Sequence, residues 1–586
     1  MRRASGLPIP LAGKGRLRLL MPAQTWSLLT DLFIFGLGLS LFYFVVVLAR
    51  SWFGPFNPQV EISRSPYMLP VYAAYSLLRI AVAYILSLGF TLVYGYVAAY
   101  NERAERFMIP LLDILQSIPV LSFLPGVMLA MVALFPRHQL GVEMGAILLI
   151  FTGQVWNMAF SFYSSLKSIP RDMREASKIY QFNWYQRFVN LELPYAAIGL
   201  VWNSMMSVAG GWFFLMACEM FVLGDKDFRL PGLGSYLQTA ASAGDTRSIL
   251  WGVATMVLVI VLMDQIIWRP VIAWAEKFKI EQVESADAPK SWFLDLTEGS
   301  RLVTWFRKRV SRPVRERMAM RFAQKHQALG PDAVPPAWKV WGGRVIAAVA
   351  VCAVLYAMLR AGGMLSQLSR AEFQELLRGA AATFLRVVVA LVIGSLWTIP
   401  VGVAIGFNPR LARIAQPLAQ IAASVPATAL FPIVLLLLIR IGGGLGVGSI
   451  VLLLLGTQWY ILFNVIAGAM AIPTDLREAS TLFRFSSGQR WRTVILPGIF
   501  PYLVTGLVTA SGGAWNASIV AEYFRFKEHT YTTVGLGAVI SKATDAGNFD
   551  LLLASTIVMA MVVVTINRLV WRRMYRIAAD RYTLEV

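Results

Sequence analysis

Four ionisable residues lie inside long apolar segments of the sequence, where a charged side chain can have only a few roles. Arg79 stands in SLLRIAVA and Arg386 in TFLRVVVA, and Glu219 and Glu522 end two later apolar runs. A charge inside such a segment is costly and indicates a function or a partner. The arginines could attract an anion, pair with the glutamates or extend to a membrane surface. The glutamates, as poor ligands for an anion, are predicted to be structural or gating groups.

A charged segment occurs twice in this apolar chain. Residues 169–194 (IPRDMREASKIYQFNWYQRFVNLELP) align without a gap with residues 472–497 (IPTDLREASTLFRFSSGQRWRTVILP), and 12 of the 26 positions are identical. Gene duplication alone explains similarity anywhere in the chain. It does not explain high identity in a polar segment beside apolar runs that have diverged, so the pattern favours a functional surface.

The local sequence of this segment predicts a short helix in each copy. Pro170 and Pro473 suit a first helical turn. Asp172 and Asp475 follow them, where a carboxylate complements the helix dipole. Such a helix is suited to lie in a groove of a partner protein. Two copies would suit a twofold-symmetric partner.

The repeat extends over most of the chain. SIPVLSFLP (117–125) matches SVPATALFP (424–432) at an offset of 307 residues. The offset becomes 303 after four extra residues in the first copy, and GLG (232–234) then matches GLG (535–537). The chain is therefore predicted to be a tandem duplication of about 270 residues.

The composition predicts a membrane protein. Of 586 residues, 57% are hydrophobic and 15% are charged, whereas soluble domains have about 25% charged residues. We expect an all-α polytopic membrane protein made of two parallel tandem repeats, each with about six transmembrane helices. The predicted spans are 29–49, 71–99, 108–135, 141–164, 195–222 and 249–273, then 341–360, 380–406, 412–440, 446–470, 498–521 and 549–571. Internal prolines predict that the third span of each half is broken.

The net charge of +21 comes from basic residues that lie mostly between the apolar runs. This distribution is typical of cytoplasmic loops and argues against nucleic-acid binding. The basic N-terminus and the even span number place both termini in the cytoplasm, with the first span retained rather than cleaved as a signal peptide. The predicted domains are 1–276 and 341–586, joined by a basic cytoplasmic linker, 277–340. The linker is interpreted as a solvated connector or as a basic helix on anionic lipid.

Several classes of chemistry are not indicated. The two cysteines and three histidines are scattered, which supports neither a disulfide framework nor a metal site. No phosphate-binding loop of the G-x-x-x-x-G-K-[ST] type is present.

Polar and aromatic residues of spans three to five are the candidates for lining a transport path. They are Gln116, Ser117, Gln154, Trp156, Asn157, Asn203 and Trp212 in the first half, and Ser424, Thr428, Gln458, Trp459, Trp515 and Asn516 in the second. Singly, each is more often a helix-packing residue.

The duplicated segment resembles the EAA loop of binding-protein-dependent ABC importer permeases, in which Glu-Ala-Ala is followed by a glycine and then by Leu-Pro. GGWFFLMACEMF (210–221) and GGAWNASIVAEYF (512–524) further resemble the nitrate, sulfonate and taurine branch. The resemblance implies coupling helices that dock on a separate ATPase. The residues implied at that contact are Arg174, Glu175, Ala176 and Ser177, and Arg477, Glu478, Ala479 and Ser480. Gln181 and Arg484 replace the glycine, so we expect a loop that is more continuously helical or differently bent.

The resemblance implies a transport subunit of the bacterial inner membrane rather than an enzyme. It has no cofactor of its own. Two copies of a cytoplasmic ATPase would bind ATP and Mg²⁺, and a periplasmic solute-binding protein would deliver a small, anionic solute. The alternatives are a secondary active transporter with parallel six-helix halves and a membrane scaffold that transports nothing.

Overall fold

The computed structural model describes residues 61–278 and 362–581, apart from positions 137, 224–225, 441–443 and 527–528, with scattered positions from 304 to 360. The predicted first span of the chain, 29–49, lies outside the described residues. The first span of the second half, 341–360, and the linker, 277–340, fall on them only at scattered positions.

The two halves repeat each other element by element. The helices of the first half are α1 (Leu69–Tyr100), α2 (Glu102–Ser117), α3 (Leu124–Leu134), α4 (Leu140–Lys167), α5 (Arg171–Ile179), α6 (Trp184–Glu219), α7 (Leu233–Ser242) and α8 (Thr246–Ala275). Those of the second half are α9 (Arg370–Phe407), α10 (Pro409–Ser424), α11 (Ala427–Arg440), α12 (Leu445–Ala471), α13 (Thr474–Leu482), α14 (Ser487–Ala521), α15 (Leu536–Ala546) and α16 (Phe549–Ala578). The predicted all-α tandem repeat is confirmed.

A short antiparallel hairpin joins the fifth span of each half to the helix that follows. In the first half, β1 (Val222–Leu223) pairs with β2 (Lys226–Asp227). In the second half, β3 (Tyr523–Phe526) pairs with β4 (His529–Thr532), with Tyr523 opposite Thr532. The apolar runs did not indicate these hairpins or the short helices α7 and α15.

Eight helices in the described residues are long and apolar enough to cross a membrane. They are α1, α4, α6 and α8, and their counterparts α9, α12, α14 and α16. These helices correspond to the second, fourth, fifth and sixth predicted spans of each half. The chain is therefore a multi-pass membrane protein.

The predicted third span is broken in both halves, as the prolines indicated. In the first half, α2 ends at Ser117 and a 3₁₀ turn, Val120–Phe123, precedes α3. In the second half, α10 ends at Ser424 and α11 begins at Ala427. Pro119 and Pro426 lie at these breaks. A proline supplies no amide hydrogen and disfavours a helical residue before it, so the helix ends there.

An asparagine side chain caps the N-terminus of the corresponding helix in each half, α2 and α10. Asn101 Oδ1 accepts the first backbone amides of α2, from Arg103 and Ala104. Asn408 Oδ1 does the same for α10. The loops NERAER (101–106) and NPRLAR (408–413) thus hold the same N-cap at corresponding positions of the two halves.

The chain forms two compact units, of which the larger comprises Ser51–Ser168, Gly199–Met263 and Pro335–Val586. Inside it, small residues let the second and fourth spans of each half approach closely. A Cβ at Gly95 on α1 would meet Phe162 on α4, and a Cβ at its counterpart Gly402 on α9 would meet Val465 on α12.

The smaller unit comprises Met1–Arg50, Ile169–Ile198 and Asp264–Val334 and is described only in part. It contains α5, the start of α6 and the end of α8. A π-helical turn, Phe188–Glu192, interrupts α6, and Arg187 Nε pairs there with Glu192 Oε1 at 2.7 Å. A second π-helical turn, Asp264–Trp268, lies in α8.

Candidate functional site

The buried arginine of the first half lies between two carboxylates. Arg79 Nε and Nη2 donate to Glu143 Oε2 and Oε1, at 2.6 and 2.7 Å. Its Nη1 donates to Glu219 Oε1 and to the carbonyl oxygen of Pro231, both at 2.8 Å. The guanidinium is fully buried. Of the three alternatives for Arg79, the structure shows the ion pair with Glu219, and it adds a second carboxylate.

The Glu219 side chain also caps the N-terminus of the next helix, α7. Its Oε2 accepts the backbone amide of Gly234 at 2.7 Å, in the first turn of α7. Its Oε1 accepts the hydroxyl of Ser76 at 2.7 Å. A Cβ at Gly232 would overlap this carboxylate, which explains why a glycine stands there. The carboxylate thereby satisfies one of the amides that the start of a helix leaves without a partner.

The second half builds the same arrangement. Arg386 Nη1 donates to Glu522 Oε1 at 2.8 Å. Thr383 also donates to Glu522 Oε1, at 2.7 Å, and the backbone amide of Gly537 donates to Glu522 Oε2 at 2.9 Å. A Cβ at Gly535 would overlap Glu522. The repeated GLG sequences therefore match because each receives the carboxylate of the preceding span.

The two clusters differ in one carboxylate. At the fixed offset, Gly446 holds the position of Glu143. A Cβ at Gly446 would lie 3.8 Å from Thr533 Oγ1, and Arg386 Nη2 donates to this hydroxyl at 2.8 Å. The side chain of Arg386 is 13% exposed, whereas that of Arg79 is 0% exposed. A neutral hydroxyl therefore replaces one carboxylate in the second half.

Glu143 is a functional candidate that the sequence analysis missed. It is the only acidic residue of the run LGVEMGAILLIF, so its isolation in an apolar span was the available signal. With it, the first-half cluster holds one guanidinium and two carboxylates.

A different charged contact lies at the other end of α1 and α4. Glu105, on α2 just beyond α1, accepts from Lys167 Nζ at 2.7 Å and from the hydroxyl of Tyr163. These two hydrogen bonds, from Lys167 first, hold the pKa of the Glu105 carboxyl below its ordinary value. The Arg79 cluster thus joins α1 to the start of α4, and the Glu105 contact joins α2 to the end of α4.

The predicted coupling segments form the short helices α5 and α13. Glu175 and Glu478 are exposed on them, and Ala176 and Ala479 are half-buried. The serines in the third position of each motif are buried and donate within their own helix. Ser177 Oγ donates to the carbonyl of Arg174, and Ser480 Oγ to that of Arg477, both at 2.7 Å.

Large apolar side chains are exposed at matching positions where each helix ends. In the first copy they are Ile179 (78% exposed), Tyr180 (73%) and Phe182 (37%). In the second copy they are Leu482 (82%), Phe483 (71%) and Phe485 (39%). Exposed apolar patches of this kind mark surfaces that another protein or a membrane covers.

The arginines of the two motifs are half-buried. Arg477 places its guanidinium carbon 5.0 Å from the ring centroid of Phe407, the last residue of α9. This cation–π contact fixes α13 to the end of α9, so part of the Arg477 side chain is engaged inside the protein.

The expectation that the missing glycines change the loop is wrong. Gln181 and Arg484 have φ angles of 51° and 50°, in the left-handed region where glycine is usual. Phe182 N donates to Ser177 O, and Gln181 N to Lys178 O, at 3.0 and 2.9 Å, which is the Schellman pattern. The second copy repeats it. The turn persists because its hydrogen bonds offset the steric cost.

Glycine and valine substitutions at the two left-handed positions are expected to change the stability of the protein by different amounts. We expect Gln181→Gly and Arg484→Gly to change stability by less than about 1 kcal/mol, because released strain and added backbone entropy oppose each other. Valine at either position should destabilise the loop by about 1–2 kcal/mol or more. Thermal unfolding of the purified chain measures this. Equal effects of glycine and valine would contradict the left-handed assignment.

The predicted path residues of the first half are placed as follows, and their role stays a prediction. Gln154 is fully buried, and its Oε1 accepts from Ser87 Oγ at 3.5 Å. Trp212 is fully buried, while Asn157 is exposed and Trp156 half-buried. Gln116 is exposed on α2. For Ser117 and Ser424 only the backbone, in α2 and α10, is described.

Three path candidates pack within one half. Asn203 Nδ2 donates to Ser161 Oγ at 3.0 Å, between α6 and α4. Gln458 accepts from the Trp397 indole at 3.2 Å, and Trp459 packs edge-on against the same indole. These contacts fit the helix-packing alternative.

Asn516 lies where the two halves meet. Its Oδ1 accepts the backbone amide of Leu121 at 3.4 Å, from the 3₁₀ turn of the first half. Thr428 and Trp515 are buried. Tyr460, which the sequence analysis did not select, lies beside glycines of both fifth spans, since a Cβ at Gly210 or Gly513 would lie 3.6 or 3.4 Å from its side chain.

Among the described residues, no group of three or more histidine, cysteine, aspartate or glutamate side chains is placed to hold a metal ion.

Comparison with known proteins supports the duplication. The model of the family described as "Binding-protein-dependent transport system inner membrane component" matches twice, over residues 89–267 and 398–582. One match falls in each predicted permease domain. Together they cover more than half of the chain.

Individual relatives each match about a third of this chain. The taurine transport system permease protein TauC of Escherichia coli (strain K12) is 30% identical over 183 residues, which are 31% of this chain and 62% of TauC. The nitrate import permease protein NrtB of Leptolyngbya laminosa is 27% identical over 200 residues, 34% of this chain and 68% of NrtB.

A third relative is the putative aliphatic sulfonates transport permease protein SsuC of Bacillus subtilis (strain 168), 22% identical over 207 residues, 35% of this chain and 70% of SsuC. The matched region thus spans about two thirds of each relative. With both halves of the chain matched, this protein belongs to the family of binding-protein-dependent transport system inner membrane components.

Proposed function

We propose that the chain is the membrane-spanning permease of an ABC uptake system, with both transmembrane domains fused. The single observation that carries this proposal is the pair of short helices, α5 and α13, which end in the same left-handed turn and expose matching apolar side chains. Such a pair is what two copies of one partner protein would cover.

The partners follow from this surface and from the family. Two copies of a cytoplasmic ATPase would bind ATP and Mg²⁺ and contact α5 and α13. A periplasmic solute-binding protein would deliver the solute at the opposite membrane face. The chain would lie in the bacterial inner membrane with both termini in the cytoplasm, and with residues 277–340 as a cytoplasmic linker between domains 1–276 and 341–586.

The mechanism would be alternating access. ATP binding would close the two ATPase subunits, draw the coupling helices together and open the outer side of the path. Hydrolysis would restore the inward-facing state. The solute class that we propose is a small anion, because relatives are named for taurine, nitrate and sulfonate transport.

Proteoliposomes test the energy source. With the ATPase subunits and the binding protein present, we expect uptake to require internal ATP and to survive collapse of ion gradients. A secondary transporter would behave in the opposite way. Uptake that persists without ATP and stops with the gradient, together with no ATPase subunit in the purified complex, would overturn the proposal.

A further inference from the structure

A cavity of about 500 Å³ opens in the second half between the start of α9 and α15. Its lining includes Arg378 and Glu375 from α9, Lys542 from α15, and Thr533 and Val534 from the segment between β4 and α15. Since a water molecule takes about 30 Å³, the space is large enough for a small hydrated ion.

The cavity lies at the end of the membrane-spanning helices that is remote from α13. The helix α9 runs from Arg370, near the cavity, to Phe407, on which Arg477 of α13 is stacked. Its 38 residues correspond to a length of about 57 Å. The cavity and the coupling helix of this half are therefore at opposite ends.

A half-buried cation lies directly behind the cavity wall. Arg386 Nη2 donates to the hydroxyl of Thr533, which lines the cavity. One carboxylate, that of Glu522, pairs with Arg386, whereas two carboxylates surround Arg79 in the first half. The missing acid is the one that Gly446 replaces. The second half thus carries one negative charge fewer beside this wall.

The two exposed cations of the cavity have no basic counterparts at the equivalent positions of the first half. At the fixed offsets, Arg378 corresponds to Val71 and Lys542 to Thr239. The one acid of the lining, Glu375, corresponds to Met68. Gene duplication therefore does not account for the two cations, and their positions on two different helices bring them to one cavity.

We propose that this cavity binds a small oxyanion, held by Arg378 and Lys542 with the Thr533 hydroxyl and Arg386 behind it. The site is at the end of the protein where, on the proposed function, the solute arrives, and that orientation rests on the proposed function. The cations raise the local concentration of an anion there, as lined clefts do. The permease itself thus contributes to anion selection.

A cysteine reporter measures the local potential without transport. Val534 lines the cavity and is 65% exposed, so we would introduce Val534→Cys. Cys352 is exposed and is replaced by serine, whereas Cys218 is buried. The rates of modification by an anionic and by a cationic methanethiosulfonate are compared in the full-length chain.

We expect Arg378→Gln with Lys542→Gln to lower the ratio of the anionic to the cationic rate about fivefold, from Coulomb's law with salt screening. Millimolar nitrate or methanesulfonate should slow the anionic reagent at the reporter, and not in the double variant. A control reporter, Tyr67→Cys, lies at an exposed first-half position without the basic pair and should not respond.

An unchanged ratio, or no protection by either anion, would overturn the site. Protection only by the purified binding protein would also overturn it, in favour of a docking patch for acidic side chains. In proteoliposomes the double variant should raise KM for the anion with little change in the maximal rate. Absence of ATP-dependent uptake by the parent chain would instead refute the proposed function and leave the reporter result standing.

Discussion

Replacing Arg79 by methionine is expected to destabilise the protein by about 3–5 kcal/mol, the cost of removing one partner from a buried ion cluster. The guanidinium makes four hydrogen bonds, to Glu143, Glu219 and the Pro231 carbonyl. Without it, two carboxylates would remain in a fully buried position inside apolar helices. Thermal unfolding followed by fluorescence-detected size-exclusion chromatography measures the loss.

The second half supplies the matched comparison. Arg386→Met should cost less, because that arginine pairs with one carboxylate and its side chain is 13% exposed. Glu522 would keep donors from Thr383 and the backbone amide of Gly537. Arg103→Met, at an exposed position on α2, should leave unfolding unchanged.

Neutralising the acids should reverse much of the effect. Buried ion clusters can often be replaced by neutral groups of similar size at little cost. We therefore expect Arg79→Met with Glu143→Gln and Glu219→Gln to be more stable than Arg79→Met alone. If Arg79→Met unfolded at the parent temperature, or if the triple variant were the least stable, the electrostatic account of this cluster would be wrong.

The fold was predictable because membrane helices have strong sequence signals. Apolar runs located the spans that the structure describes to within several residues, except that α6, α9 and α14 begin 10 or 11 residues earlier than predicted. Internal prolines located the break in the third span. The extension of α6 back to Trp184 was not predicted. The polar sequence before Leu193 continues into the helix through a π-helical turn, and a hydropathy pattern does not register that continuity.

The buried clusters were only partly predictable. The sequence indicated that Arg79 and Glu219 needed partners, because single charges in apolar runs are costly. It did not show that Glu143, on another span, would form the bidentate pair. Which faces of α1, α4 and α6 meet is set by helix packing, and an arginine in an apolar run has no spacing rule that identifies a distant acid.

The turn after α5 and after α13 was predicted wrongly for a physical reason. The replacement of glycine by Gln181 and Arg484 argued against a left-handed residue. The turn is specified instead by the hydrogen bonds of the Schellman motif, which the backbone amides of Phe182 and Phe485 complete. A local preference of about 1–2 kcal/mol is thus overridden by several concerted contacts.

The largest functional effect is expected from reversing charge on both α5 and α13, the helices that the proposed function assigns to ATPase docking. Glu175→Arg with Glu478→Arg should lower ATP-dependent uptake by at least about tenfold, which corresponds to a loss of about 1.4 kcal/mol in binding the ATPase. Both glutamates are exposed. The double variant should therefore still insert and purify with the parent's thermal unfolding profile.

Single variants, a control variant and co-purification of the ATPase test this prediction. Each single variant leaves one helix intact and should lower uptake less than the double variant. Glu61→Arg reverses an exposed acid outside both helices and should leave uptake at the parent level. Co-purification of the ATPase with each variant measures docking directly.

The exposed apolar residues beside the glutamates provide an independent test of ATPase docking. Ile179→Asp with Leu482→Asp changes two side chains that are 78% and 82% exposed, so the fold of the isolated chain should be unaffected. If these side chains are covered by the ATPase, burying two new carboxylates should prevent docking, because an unpaired charge at an interface is costly. Normal uptake and normal co-purification in both double variants would show that the ATPase docks elsewhere.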